Sequence, residues 1–299
     1  MSQAQTHPPR VPHLVIEPPR GWNPLNLREL WQYREMVYRM VLRDIKTRYK
    51  QSALGPTWVI LMPLISAGIF SIIFGGLAGL EAGKGASGQA MPYALFVYSG
   101  MLIWNAFTRS FSAASGSLRN QSGLMRKVYF PRLISPITGI AGGLLDLLLG
   151  FVVLLAMVVA TGTWPTLAIL TLPLFILAAW MVALAWGLWI ATVSIRFRDL
   201  GHATGFLIQS LMWLTPVAWS STLLFEGTRV PQQWQTLAEV AFQLNPLYHV
   251  VEGFRWAAVG YTDWRVTEYT AISLGVTFVV FIAGLYNYRR VDANVVDYV

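Results

Sequence analysis

Few side chains in this sequence could do covalent chemistry. The four histidines, His7, His13, His202 and His249, lie far apart. None stands at ligand spacing from a partner, and no His-x-x-x-His or Asp-rich pattern offers a metal site. There is no cysteine, which excludes disulfides, thiolate metal ligands and cysteine nucleophiles. A phosphate loop requires Gly, four residues, then Gly-Lys-Ser/Thr. The nearest approach is Gly83-Lys84-Gly85, with Ala78 in place of the first glycine and no hydroxyl after the lysine. The chain therefore reads as non-enzymatic, with no catalytic residue, metal or cofactor of its own. If ATP drives its work, the ATPase is another polypeptide.

Two ionisable residues stand out because they interrupt apolar runs. Arg109 and Asp146 would not be tolerated facing lipid. Three readings are open: a structural ion pair, groups lining a water-filled cavity, or a proton relay, for which one acid is thin equipment. Aromatic residues are the other resource. Of the thirteen tryptophans, Trp58, Trp104 and Trp164 read as interface anchors near span ends. Trp180, Trp186, Trp189, Trp213 and Trp219 are too many and too deep for interface belts alone. Aromatic faces can stack on sugar rings, which makes Trp104, Phe107, Trp213 and Trp219 candidate channel-lining residues. Helix packing is the competing role for each.

The elements that must position these residues are membrane helices. Apolar residues make up 55% of the 299 and charged residues only 12%, with mean hydropathy +0.50; a soluble domain carries about 25% charged residues. The net charge of +8 could signal nucleic acid. Here the cations sit beside hydrophobic runs, and retention on one side of a membrane explains that placement better. Runs fall at 57–79, 93–116, 134–160, 167–193, 204–224 and 267–287. Each supplies about 20 residues, enough for the hydrocarbon core of a bilayer. The expected fold is thus an all-α membrane protein with six transmembrane helices and both termini on one side. Seventeen Lys and Arg fall on that side, against Lys84, Arg229, Arg255 and Arg265 on the other. The positive-inside rule makes the termini cytoplasmic.

Three domain-level segments follow. Residues 1–25 are proline-rich and expected as an extended tail. Residues 26–55 form an amphipathic helix, opened by the capping pattern Asn26 and Glu29. Trp31, Tyr38, Leu42, Ile45 and Tyr49 share one face, and Arg28, Arg34, Arg39, Arg43, Lys46 and Arg48 occupy much of the rest. An ordinary soluble helix is the alternative, but a span follows at once, which favours an interfacial helix. The six-span domain occupies 56–299. Within it, the outer segment 221–266 carries two short helices, one opened by Pro231 and one by Asn245-Pro246 and ended by Gly260. Each has about 12–14 residues, too short to span, so a partly embedded re-entrant pair is preferred to a periplasmic hairpin. The pairs Gly75/Gly79 and Gly139/Gly143 read as local packing rather than a dimer seam.

Four stretches together carry a resemblance. RDIKTRYKQSALGPTWVILMP (Arg43–Pro63), RKVYFPRLISP (Arg126–Pro136), IRFRDLGHATGFLIQSLMWLTPVAW (Ile195–Trp219) and NPLYHVVEGFRWAAVG (Asn245–Gly260) resemble the ABC-2-type permeases that export polysaccharides. The likeness runs in order over nearly the whole chain after the tail, and fits best the O-antigen and capsule exporters of Gram-negative bacteria. It implies a homodimer associated with two copies of a separate ATP-binding-cassette ATPase, which holds ATP and Mg, in the bacterial inner membrane. It implies ATP-driven export of lipid-linked polysaccharide, with no nucleic acid partner. Arg43, Lys46 and Arg48 then become candidates for receiving the anionic lipid head, with anchoring to membrane lipid as the equal alternative. Arg126, Lys127, Phe130, Pro131 and Arg132 map onto the ATPase-coupling element, though topology alone explains the cations about as well. Asn245, Pro246, His249, Glu252 and Arg255 map onto the outer gate. Export of teichoic acid or of a small molecule, and a non-transporting membrane scaffold, are the rival functions.

Overall fold

The computed structural model describes residues 27–50, 52–86, 88–120, 131–197, 199–222, 232–262, 264 and 266–292. Among them the architecture is entirely helical, with one antiparallel bridge, Lys84 to Ala90, closing a loop. The N-terminal amphipathic segment is two helices, α1 (Leu27–Gln32) and α2 (Arg34–Tyr49), parted at Tyr33. Trp31 and Tyr38 are exposed, at 71% and 62%. The protein-facing side is instead Met40, packed on Ile134 with Tyr33, Met36 and Val37 around it. The helix therefore has two apolar faces, one against the bundle and one of exposed aromatics.

α3 (Thr57–Phe70) continues as a π-helical stretch, Ser71–Leu77. α4 (Tyr93–Ser115) is followed by the short α5 (Ser117–Asn120). α6 (Ile134–Thr161) ends at Gly162, whose φ of 69° closes the helix in the left-handed conformation that glycine adopts without strain. A 3-10 turn, Leu167–Thr171, then leads into α7 (Leu172–Val193), so α6 and α7 form a tight hairpin. α8 covers Leu200–Trp213, α9 Gln232–Gln243, α10 Pro246–Val259 and α11 Glu268–Asp292.

Among the described residues, four helical segments are long and apolar enough to cross a membrane: Thr57–Leu77, Ile134–Thr161, Leu167–Val193 and Glu268–Val291. α4 has the length, at 23 residues, but Asn105 and Arg109 dilute its apolarity. The stretch expected as a fifth span, 204–224, is not one continuous helix. α8 has 14 residues and stops at Trp213, two residues before Thr215-Pro216. Proline lacks the N–H that a continuing helix needs and disfavours helical backbone at the residue before it. The chain runs on irregularly through Thr215, Val217, Ala218 and Ser220, all buried.

α4 lies at the centre, with α6 and α7 against it, α10 packed on both α4 and α7, and α3 and α8 beside it. Small residues permit this closeness. A Cβ on Gly139 would overlap the Cβ of Ala113, and one on Gly143 would lie 3.0 Å from Cδ of Arg109. The Gly139/Gly143 pair is thus the seat of α4 on α6 within this chain.

Candidate functional site

The centre of α6 carries Asp146, 7% exposed, and three side chains converge on it. Arg109, from α4, pairs with Oδ2. Arg48, at the end of α2, donates from Nη1 to the same oxygen at 2.7 Å and reaches the Gly142 carbonyl at 3.4 Å. Tyr49 donates its hydroxyl to Oδ1. A carboxylate withdrawn from water is costly unless it is paired and hydrogen-bonded, and both oxygens are engaged here. Burial, and then the hydrogen bond to Asp146, push the Tyr49 hydroxyl above its ordinary value, so it stays a proton donor. The cluster sums to one positive charge and ties the amphipathic helix to α4 and α6.

The sequence singled out Arg109 and Asp146, and the structure brings them together. It also brings in Arg48, which the sequence groups with Arg43 and Lys46. Those two point elsewhere: Arg43 pairs with its neighbour Asp44 at 3.0 Å, and both Arg43 and Lys46 are exposed. Nothing in the spacing links residue 48 to residue 146. Tyr49 carried only an apolar reading, as part of an aromatic face.

A second polar centre surrounds Arg255 in α10. Its guanidinium is fully buried, lying 3.6 Å from the centroid of the Phe96 ring. It donates from Nε to the Phe96 carbonyl at 3.2 Å and from Nη1 to Glu252 at 3.0 Å. Nη2 donates to the carbonyls of Pro216 and Val217 at 3.1 and 2.9 Å. Those are backbone groups that the break after α8 leaves without helical partners. Asn245 does the same work nearby: Oδ1 caps α10 by accepting from Leu247 N–H at 3.0 Å, and Nδ2 donates to the Leu214 carbonyl at 3.1 Å. Tyr93 completes the set by donating to the Ala218 carbonyl at 2.7 Å. A Cβ on Gly100 would come within 2.6 Å of the Val217 carbonyl, so only glycine allows this approach.

Of the five residues mapped onto an outer gate, Pro246 opens α10 and the other four make polar contacts around it. Buried His249 bonds the Gln243 carbonyl through Nε2 at 2.7 Å and the Thr270 hydroxyl through Nδ1 at 3.1 Å. The face shared by Leu247, Val250, Val251 and Phe254 is buried, and so is the opposite, polar side. Phe96 and Tyr93, which complete this centre, carried no sequence signal because their contribution is a carbonyl, a ring face and a hydroxyl inside an apolar run.

Arg126, Lys127 and Phe130 lie outside the described residues. Pro131 accepts from Ile134 N–H at 3.0 Å, a turn that opens α6, and the Arg132 carbonyl accepts from the buried Tyr288 hydroxyl of α11 at 3.4 Å. Among the aromatic candidates, Trp104 stands in the middle of α4, not near a span end, and is buried with Phe107 at 5.3 Å between ring centroids. Trp213 is 54% exposed, and Trp219 meets Phe242 edge-on at 5.5 Å.

Long apolar helices, charges satisfied in their interior and an amphipathic helix docked at one end define a polytopic helical membrane protein. The ABC-2 type transporter family model matches residues 35–259, from α2 through α10, and the chain belongs to that family of transporter membrane subunits. It is 26% identical over 231 residues to the O-antigen export system permease protein RfbA of Myxococcus xanthus, covering 77% of this chain and 82% of the relative. Against the O-antigen export system permease protein RfbA of Klebsiella pneumoniae the identity is 26% over 246 residues, covering 81% and 86%. Against the polysialic acid transport protein KpsM of Escherichia coli it is 28% over 265 residues, covering 85% and 92%.

Proposed function

We propose that this chain is the permease subunit of an ATP-driven exporter that moves a lipid-linked polysaccharide from the cytoplasm across the bacterial inner membrane. The observation that carries this is the family match over 35–259, with relatives named for O-antigen export and polysialic acid transport aligned along most of the chain. A second copy completes the polymer path, and two copies of a separate ATPase bind ATP with its Mg and hydrolyse it. The four apolar spans, α4 and the broken α8 together make six crossings, with α9 and α10 as short re-entrant elements at the outer face. In this reading both termini lie in the cytoplasm, which the Lys/Arg asymmetry supports.

In this scheme the ATPase acts on the segment around Arg126–Arg132, and its motion reaches the spans at two points. One is the turn at Pro131 that opens α6. The other is the Asp146 cluster, which makes α2 move with α4 and α6. Arg43, Lys46 and Arg48 draw the anionic lipid head toward that cluster, and Asn245, Pro246, His249, Glu252 and Arg255 hold the outer gate together. Deleting the gene should leave polymer on its lipid carrier inside the cell. Re-expression should return it to the surface only when the cognate ATPase is present. Surface polymer unaffected by the deletion would refute the reading.

A further inference from the structure

The outward faces of α3, α6, α7 and α11 suit contact with lipid: Ile69, Leu148, Leu177 and Val279 are all exposed. On α11 the polar Thr270, Ser273 and Thr277 are buried while apolar residues point out. α4 reverses that arrangement. Most of its apolar residues are buried, and the side left open in its C-terminal half carries Asn105, Thr108, Arg109 and Ser112. Steps of three, one and three residues put these on one side of the helix, in a stripe about 10 Å long at ~1.5 Å per residue. Thr108 returns its hydroxyl to the Asn105 carbonyl at 3.2 Å, but the Asn105 amide and the Arg109 guanidinium have no partner in hydrocarbon. Arg109 cannot turn away toward an interface either, since Asp146 holds it.

We propose that the Asn105–Thr108–Ser112 stripe is the polar wall along which a hydroxyl-rich carbohydrate chain slides, with Arg109 beside it. This rests on the export function proposed above. Amides and hydroxyls exchange hydrogen bonds with sugar hydroxyls and with water at little net gain, which suits passage rather than capture. α8, packed against α4, exposes Gln209 with Phe206 and Trp213, adding aromatic faces of the kind sugar rings stack on. The net positive charge of the Arg48–Asp146–Arg109 cluster admits acidic sugars as well as neutral ones.

The chain's lack of cysteine makes the test direct. Asn105→Cys, Thr108→Cys and Ser112→Cys are compared with Leu148→Cys in membranes holding the full permease–ATPase complex, using a membrane-impermeant thiol reagent. All are first matched for thermal stability in detergent. The stripe thiols should react at least ~10-fold faster than the lipid-facing one, because the reactive thiolate forms in water and not in hydrocarbon. Their labelling should fall when lipid-linked polymer is made and stalled by a hydrolysis-deficient ATPase. Labelling that polymer leaves unchanged overturns the carbohydrate assignment. Thiols that stay unlabelled but cross-link between two copies on oxidation overturn the path itself and make the stripe a subunit seam. Failure of the export reading would show separately, as an unsubstituted chain that exports no polymer.

Discussion

Replacing Asp146 with alanine would leave the Arg48 and Arg109 guanidiniums side by side without the carboxylate that accepts from both. Breaking a buried pair by removing one partner costs roughly 3–5 kcal/mol. The lower end applies here, since each arginine keeps about a third of its side chain exposed. Tyr49→Phe removes one donor to a charged acceptor and should cost about 1.5–3 kcal/mol. Unfolding of the purified protein in detergent would rank the two, and an Asp146→Ala variant as stable as the parent would dismiss the cluster as a joint. Arg255 offers a stricter case. Lysine keeps the charge but not the planar fork that reaches Glu252 and three carbonyls, so Arg255→Lys should destabilise nearly as much as Arg255→Ala. Burial holds the His249 imidazole below its ordinary 6.5, against a smaller pull from the Gln243 carbonyl. The unfolded chain then binds a proton that the folded one refuses. This contribution to stability is complete above 6.5 and is lost as the pH falls below it. A melting temperature that drops between about pH 7.5 and pH 5.5, and drops less in His249→Gln, is the expected signature. Arg109 and Asp146 were legible as charges inside apolar runs. Arg48 was not, because it sits among other cations of the same helix and its partner is 98 residues away.

Among elements, hydrophobic length alone delimited α6, α11, α7 with its opening 3-10 turn and α3 with its π-helical continuation to within a few residues. What it could not show was the end of α8, where an apolar run continues but the helix does not. Thr215-Pro216 held the signal, and only the waiting donors of Arg255, Asn245 and Tyr93 make a break there affordable at depth. The second apolar side of α2 was similarly hidden, since Tyr33, Met36, Val37 and Met40 overlap in sequence with the exposed aromatic face. The seating of α4 on α6 is open to a paired test. Gly139→Ala places a methyl where Ala113 already lies and should destabilise, by about 1–3 kcal/mol if the helices must part. Gly205→Ala, in the middle of α8 with nothing within 4 Å, should stabilise by about 0.5–1 kcal/mol. Equal effects from both would mean that α4 and α6 do not meet at this glycine.

At the scale of the whole molecule, the Asp146 cluster and the Arg255 centre sit on the same central helix, α4 touching both through Arg109 and Phe96. A movement begun at α2 therefore has a continuous packed route to α10. The proposed orientation predicts that reporters fused to either terminus report the cytoplasm, and a reporter found outside at one end would reduce the crossings to an odd number. Transport itself is tested most directly in vesicles that contain the chain, its cognate ATPase and lipid-linked polymer added on the ATPase side. Polymer that becomes accessible to an enclosed glycosidase only when ATP and this chain are both present is the expected result. Polymer that enters without the chain, or stays outside when every component is supplied, would contradict its role as the export permease.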